Sequence, residues 1–403
     1  MGQLGSLRRN IWLILAAGSL ISLLGFGVRA NFALFLSPMS AEMGWGREIF
    51  ALAVAIQNLM WGLGQPIAGM IADKFGTARV LAVGGLIYAL GIYGMAEATT
   101  PLSLNLTGGF LVGVGLSGAS FSIVLAALGR MVPEKNRGLA FGIGTAAGSM
   151  GQFLLVPLGQ EFIDAYGWST ALVFLSLLVA LIIPLSAAMK GNGEVVADTN
   201  KQSMGQALGE ASRHSGYLYL TAGFFVCGFH IAFIGTHLPA FITDQGLSAT
   251  LGAQALAVLG LFNIFGAISA GILGSRYQKK NLLSLLYLSR AISITLFIVF
   301  PISPLSVLLF SAAIGITWLS TVPLTAGIVA QVFGPKYIAT LFGFVFLSHQ
   351  IGSFLGAWLG GKIFDQFGSY DIVWWLGVAL ALFAALVHLP IDERPAARLA
   401  PAR

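Results

Sequence analysis

Residues 142–167 read GIGTAAGSMGQFLLVPLGQEFIDAYG, and residues 343–368 read GFVFLSHQIGSFLGAWLGGKIFDQFG. The two stretches match at an offset of 201. Gly142, Gly151, Gly159 and Gly167 return as Gly343, Gly352, Gly360 and Gly368, Phe153 as Phe354, and Asp164 as Asp365. Outside the stretch, Gly27 returns as Gly228, and Arg29 falls opposite His230. The offset is half of a 403-residue chain, so the chain reads as one block used twice. Duplicated blocks of apolar helices are a common plan of membrane transporters, whose solute site lies between the halves near mid-membrane.

Composition places the block in a bilayer. Apolar residues make up 57%, charged residues 9%, and mean hydropathy is +0.87. Soluble domains carry about 25% charge. A helix needs roughly 20 apolar residues to cross a bilayer. Runs of that size lie near 11–36, 48–71, 79–98, 102–131, 138–163, 168–189, 217–242, 250–273, 281–301, 303–332, 338–362 and 371–390. Several exceed one crossing, so tilt or projection is expected. β-Barrels need short alternating strands, which these runs exclude. The expected fold is an all-α integral membrane protein of twelve transmembrane helices in two six-helix pseudo-repeats. The halves are 1–189 and 217–391, with a polar linker at 190–216 and a tail at 392–403.

Charge orients the chain. All but four of the 21 Lys and Arg fall on one side of this topology. Arg47 and Lys362 fall on the other side, and Arg29 and Arg290 within helices. Positive charge collects on the cytoplasmic face, so both termini are expected there, in a cytoplasmic (inner) membrane. The net charge of +6 is thereby topological and implies no nucleic-acid partner. Cys227 is the single cysteine and cannot form an internal disulfide. Arg8 and Arg9 precede a long apolar run without a small-residue cleavage site, so the first run reads as a retained helix.

Between the second and third runs the loop reads Gly69-Met-Ile-Ala-Asp73-Lys74-Phe-Gly76-Thr-Ala-Arg79. With twelve helices in two repeats, this loop resembles the major facilitator superfamily over essentially the whole chain. The resemblance implies that fold and a gating role for Gly69, Asp73, Gly76 and Arg79. The run His237-Leu-Pro-Ala-Phe-Ile-Thr-Asp244-Gln-Gly246 resembles the monocarboxylate transporter and oxalate/formate antiporter group. Gly25-Phe-Gly-Val-Arg29 through Gly44-Trp45-Gly-Arg47 is similar to bacterial members of that group. One departure stands out. Many monocarboxylate transporters carry an acid and, four residues later, an arginine on helix eight; here Asn263 and Ala267 stand at those places.

All 15 acidic residues map to loops or to the ends of apolar runs. A coupled proton would then need a histidine or the solute, and buried cations without buried anions favour an anionic solute. Arg29 lies about 18 residues into the first run, with Asn31 nearby. Its guanidinium offers a carboxylate a two-donor fork, or else bonds helix-end carbonyls. His230 and His237 share one face of helix seven at i, i+7, and His230 is the candidate proton carrier. Gln57, Trp61, Asn263, His349 and Gln350 complete the candidate solute site. Ser149 and Gln152 map onto Gln350 and Ser353 by the repeat. Such polar residues also join membrane helices by hydrogen bonds. Arg290 lies about 14 Å into the ninth run and reads first as a structural arginine bonded to helix carbonyls.

These residues suggest a secondary transporter for a small organic anion, a monocarboxylate first, by alternating access with possible proton symport. The chain is taken to work as a monomer in the lipid bilayer. Efflux of amphipathic compounds is the alternative, since Phe and Met are plentiful. A membrane-embedded enzyme or sensor is the third class. No nucleophile–base pair, carboxylate pair or extra soluble domain supports it. No cofactor is implied, and no ligand spacing suits a metal.

Overall fold

The computed structural model describes residues 11–131, 134–190, 203–334 and 337–396. Within them every regular element is a helix, and ten helical stretches are long and apolar enough to cross a membrane. In crossing order, α1 runs Ile11–Ala30 and, past a turn at Asn31, Phe32–Met43. Next come α2 (Arg47–Phe75) and α3 (Thr77–Ala96). Crossing α4 combines Pro101–Leu104, a π-helical Asn105–Leu111 and Val112–Gly118, then resumes as Phe121–Met131. Helix α5 is Glu134–Tyr166, and α6 is Trp168–Ala180 continued by Ile182–Ser186. The second repeat holds α7 (Ser215–Asp244), α8 (Ala249–Gly274) and α9 (Lys279–Val299). It continues with α10 in two pieces (Pro304–Thr317 and Thr321–Phe333), α11 (Ile338–Phe367) and α12 (Asp371–His388). The expected crossings 48–71 and 138–163 are the continuous helices α2 and α5. Gln57, Asn58 and Gln65 lower the hydropathy of the first. The expected linker falls largely on 191–202, outside the described residues. Its last part is a short helix, Met204–Arg213, opened by a Ser203–Gln206 capping box.

The repeated glycines mark close helix contacts. A Cβ on Gly151 would run into the Leu23 carbonyl of α1, and one on Gly352 into the Phe225 carbonyl of α7. So α5 on α1 and α11 on α7 are the same backbone-to-backbone packing, made twice. Gly167 and Gly368 both sit at positive φ, 80° and 69°, where a side chain would be strained.

The chain forms two compact units. One is Met1–Trp45 with Met60–Val195; the other is Gly46–Leu59 with Val196–Arg403. Gly46–Leu59, which includes the first half of α2, thus belongs to the second unit. The core of the second unit is aromatic: Phe297 and Phe310 stack at 4.0 Å, with the edge of Trp374 against both. Large apolar side chains such as Leu90, Phe265, Leu296 and Leu386 face outward. Hydrocarbon matches such a surface, whereas water would drive it to associate.

Candidate functional site

In the first unit, Arg29 ends the first piece of α1. Its Cζ lies 5.0 Å from the ring centroid of Trp61 on α2. Arg29 and Trp61 line one pocket with Ser22, Phe26, Ala119 and Ser120. The last two are the residues at which α4 breaks. The cavity measures about 10 Å³, the space of about one water. A guanidinium at this distance from an aromatic face is attracted by the ring's quadrupole. Asn31 is fully buried on the adjoining turn. Its Nδ2 donates to Gly27 O at 2.7 Å, and its Oδ1 lies against Gly159 of α5. Trp61 Nε1 donates to Gln65 Oε1 at 3.0 Å. Gln152 on α5 is buried.

In the second unit a polar strip runs along α11. Gln350 Nε2 donates to Asn58 O of α2 at 3.0 Å, and Gln350 Oε1 lies 3.0 Å from His349 Nδ1. Ser353, one turn on, donates to Gly228 O at 3.1 Å. Phe346 stacks on the His349 ring at 5.7 Å. Gln57, beside Asn58, is buried as well.

The two helix-seven histidines face other helices. His230 Nε2 lies 2.8 Å from Gly377 O of α12, and its Nδ1 has no hydrogen-bond partner among the described residues. His237 uses both ring nitrogens, Nε2 at 2.8 Å from Ala357 O and Nδ1 at 3.2 Å from Tyr370 Oη. Asn263 Oδ1 accepts the Leu319 N–H at 3.0 Å. Among the described residues no Asp or Glu is buried, while Arg290, His230, His237, His349 and His388 are.

One cluster was not assembled from the sequence. Arg47 at the start of α2 donates both terminal nitrogens to Asp244 at the end of α7, at 2.6 and 2.7 Å, and donates to Tyr370 Oη at 2.8 Å. Its guanidinium lies 3.7 Å over Phe364. Asp365 caps α2 from α11 by accepting the Arg47 and Glu48 N–H groups at 2.9 and 2.8 Å. Trp358 Nε1 donates to Glu48 Oε1 at 2.9 Å. These bonds hold the first half of α2 in the second unit. The two segments that carry the subfamily resemblance therefore meet at Arg47 and Asp244. Opposite charges at the ends of two resembling motifs were the available signal. At the other end of α2, Gly69 and Gly76 have open space where a Cβ would lie, and Arg79 donates to Phe75 O at 3.1 Å. The Asp73 side chain lies outside the described residues.

Long apolar helices in a doubled plan are the build of a multi-pass membrane protein. The chain belongs to the Major Facilitator Superfamily, whose pattern matches residues 15–357. It is 25% identical over 392 residues to monocarboxylate transporter 13 of Bos taurus, covering 94% of this chain and 89% of that one. It is 25% identical over 378 residues to the oxalate:formate antiporter of Oxalobacter formigenes, covering 91% and 88%. Among solved structures, a D-xylose-proton symporter superposes with a TM-score of 0.74 at 15% identity, covering 94% of this chain and 98% of that one. That likeness speaks for the fold alone. The chain is thus a multi-pass membrane transporter.

Proposed function

We propose that this transporter moves a small organic anion, a monocarboxylate first, by alternating access, with Arg29 as the residue that holds the carboxylate. The observation that carries the reading is the Arg29 guanidinium over Trp61, facing a pocket at the break of α4. The absence of any buried acid among the described residues agrees with an anionic solute. So do relatives named for monocarboxylates, oxalate and formate. At about 10 Å³ the pocket must widen to admit a carboxylate, a change that belongs to the transport cycle.

The test uses Arg29→Ala and Arg29→Lys in purified protein, with melting temperature and binding of formate, oxalate and L-lactate measured on the same samples. Both variants should fold. Arg29→Ala should lose more than tenfold in affinity, matching the about 1.5–3 kcal/mol of a hydrogen bond to a charged group. Arg29→Lys should also lose affinity, because it keeps the charge without the fork. Unchanged affinity in well-folded Arg29→Ala protein would end the assignment.

A further inference from the structure

A second cation within a crossing, this one buried, has no part in that reading. Arg290, near the middle of α9, is 1% exposed. The ion pairs among the described residues are Arg47–Asp244 and Arg394–Asp392, so no carboxylate there pairs with it. Its donors converge on one place in α10. Nη2 donates to Trp318 O at 2.7 Å and to Thr317 O, and Nε donates to Thr317 Oγ1 at 3.3 Å. Nη1 reaches Cys227 Sγ of α7 at 3.5 Å, and the Tyr287 ring lies 5.3 Å from Cζ.

Thr317 and Trp318 end the first piece of α10, and the second piece begins at Thr321. Asn263 of α8 accepts the Leu319 N–H at 3.0 Å. The break is therefore closed from two helices: a cation on its carbonyls and an amide on its first free N–H. Backbone groups freed inside an apolar layer find no water and must be met by the protein. The carbonyl end of a helix also carries partial negative charge, which suits a cation. A guanidinium meets two carbonyls and a hydroxyl from a fixed planar fork, whereas an ammonium is a point charge on a flexible stem.

The other repeat breaks at the same place. Ala119 and Ser120, where α4 breaks, map onto Ser320 and Thr321 at the same offset that relates the halves. Arg29 of α1 lines the pocket at the first break, and Arg290 of α9 closes the second. Both halves place a guanidinium at the break of the equivalent helix, from helices that are not equivalent. One faces a pocket; the other is bonded to the break itself.

We infer that Arg290 is a positioning residue for transport: it clasps α10 in two pieces, so that Thr321–Phe333 can change its angle to Pro304–Thr317 with the break's carbonyls still satisfied. The inference rests on the transport reading for its consequence, and on the geometry of α10 for its existence. Two measurements separate these. The first is hydrogen–deuterium exchange of the full chain in nanodiscs, which needs no solute. Arg290→Lys should speed exchange at residues 318–321 at least tenfold, with α7, α9 and α12 unchanged. Unchanged exchange at the break, or faster exchange throughout the unit, would overturn the clasp. The second is uptake of labelled formate, oxalate and L-lactate into proteoliposomes. Arg290→Lys should keep KM within twofold and lower the maximal rate at least tenfold. A raised KM at unchanged maximal rate would make Arg290 a solute contact and overturn the positioning role, as would wild-type values of both. If Arg290→Lys does not fold, Asn263→Ser, which weakens the other side of the same break, must show the same exchange and rate pattern or the clasp fails. Wild-type protein that moves none of the three anions would sink the anion reading and leave the clasp to the exchange result.

Discussion

Asp365→Ala should loosen the start of α2, and Gly46 supplies an internal control. One carboxylate from α11 accepts two N–H groups of the first turn of α2, at 2.9 and 2.8 Å, across 318 and 317 residues of sequence. Those N–H groups have no partner within their own helix. Removing a helix cap costs about 0.5–2 kcal/mol, and losing a negative charge near a helix N-terminus adds about 0.3–1 kcal/mol. Asp365 is exposed, so water competes for both bonds. The expected loss is therefore about 1–2 kcal/mol. A Cβ on Gly46 would collide with the same carboxylate, and Gly46 is not among the glycines at positive φ. Gly46→Ala should therefore destabilise the wild type through contact alone and become nearly neutral beside Asp365→Ala. The four proteins form a double-mutant cycle with an expected coupling of about 1 kcal/mol, read from denaturant titration in mixed micelles by tryptophan fluorescence. Losses that add within about 0.3–0.5 kcal/mol would refute the shared contact. So would wild-type stability in Asp365→Ala.

Two further substitutions probe the second unit. Asp244→Ala should lower stability by about 1 kcal/mol, since the pair is bidentate but 15% and 29% exposed, and the loss should shrink between about 0.05 and 1 M salt in the same titration. A salt-independent loss would assign the effect to packing around Phe364 and Tyr370. His230→Gln should flatten any pH dependence of uptake if this histidine carries the coupled proton. A profile that keeps its shape would place the proton on the solute or remove coupling.

Much of the fold was legible because a bilayer asks little of a sequence beyond apolar length. Twelve runs and an offset of 201 suffice for twelve helices in two copies. The repeated glycines at 151 and 352 persist because any side chain there would strike a neighbouring backbone carbonyl. The site was less legible. His230, His237 and Asn263 were polar residues at membrane depth, and sequence offers no way to tell a solute contact from a bond between helices. The geometry shows all three bonding neighbouring backbone, His237 through both nitrogens. The break in α10 did leave a signal. Pro323 lacks the N–H that would bond Leu319 O, and its ring crowds that carbonyl, so the helix cannot run straight through.

By itself the sequence determined which segments are helices, that they come as a pair of six, and which cations lie at membrane depth. Those properties are local or periodic, and composition expresses them directly. Only the tertiary structure decided what each cation does. Arg29 and Arg290 are the same residue type within apolar crossings, but Arg29 faces a pocket beside Trp61 while Arg290 is bonded to the last carbonyls of a broken helix. Likewise Arg47 could have met any acid at its end of the bundle. It meets Asp244 because Asp365 and the contact of Gly361 with Ala51 hold the first half of α2 against α11. A charge acts through the groups within a few ångströms of it, and those groups arrive from elements far away in sequence.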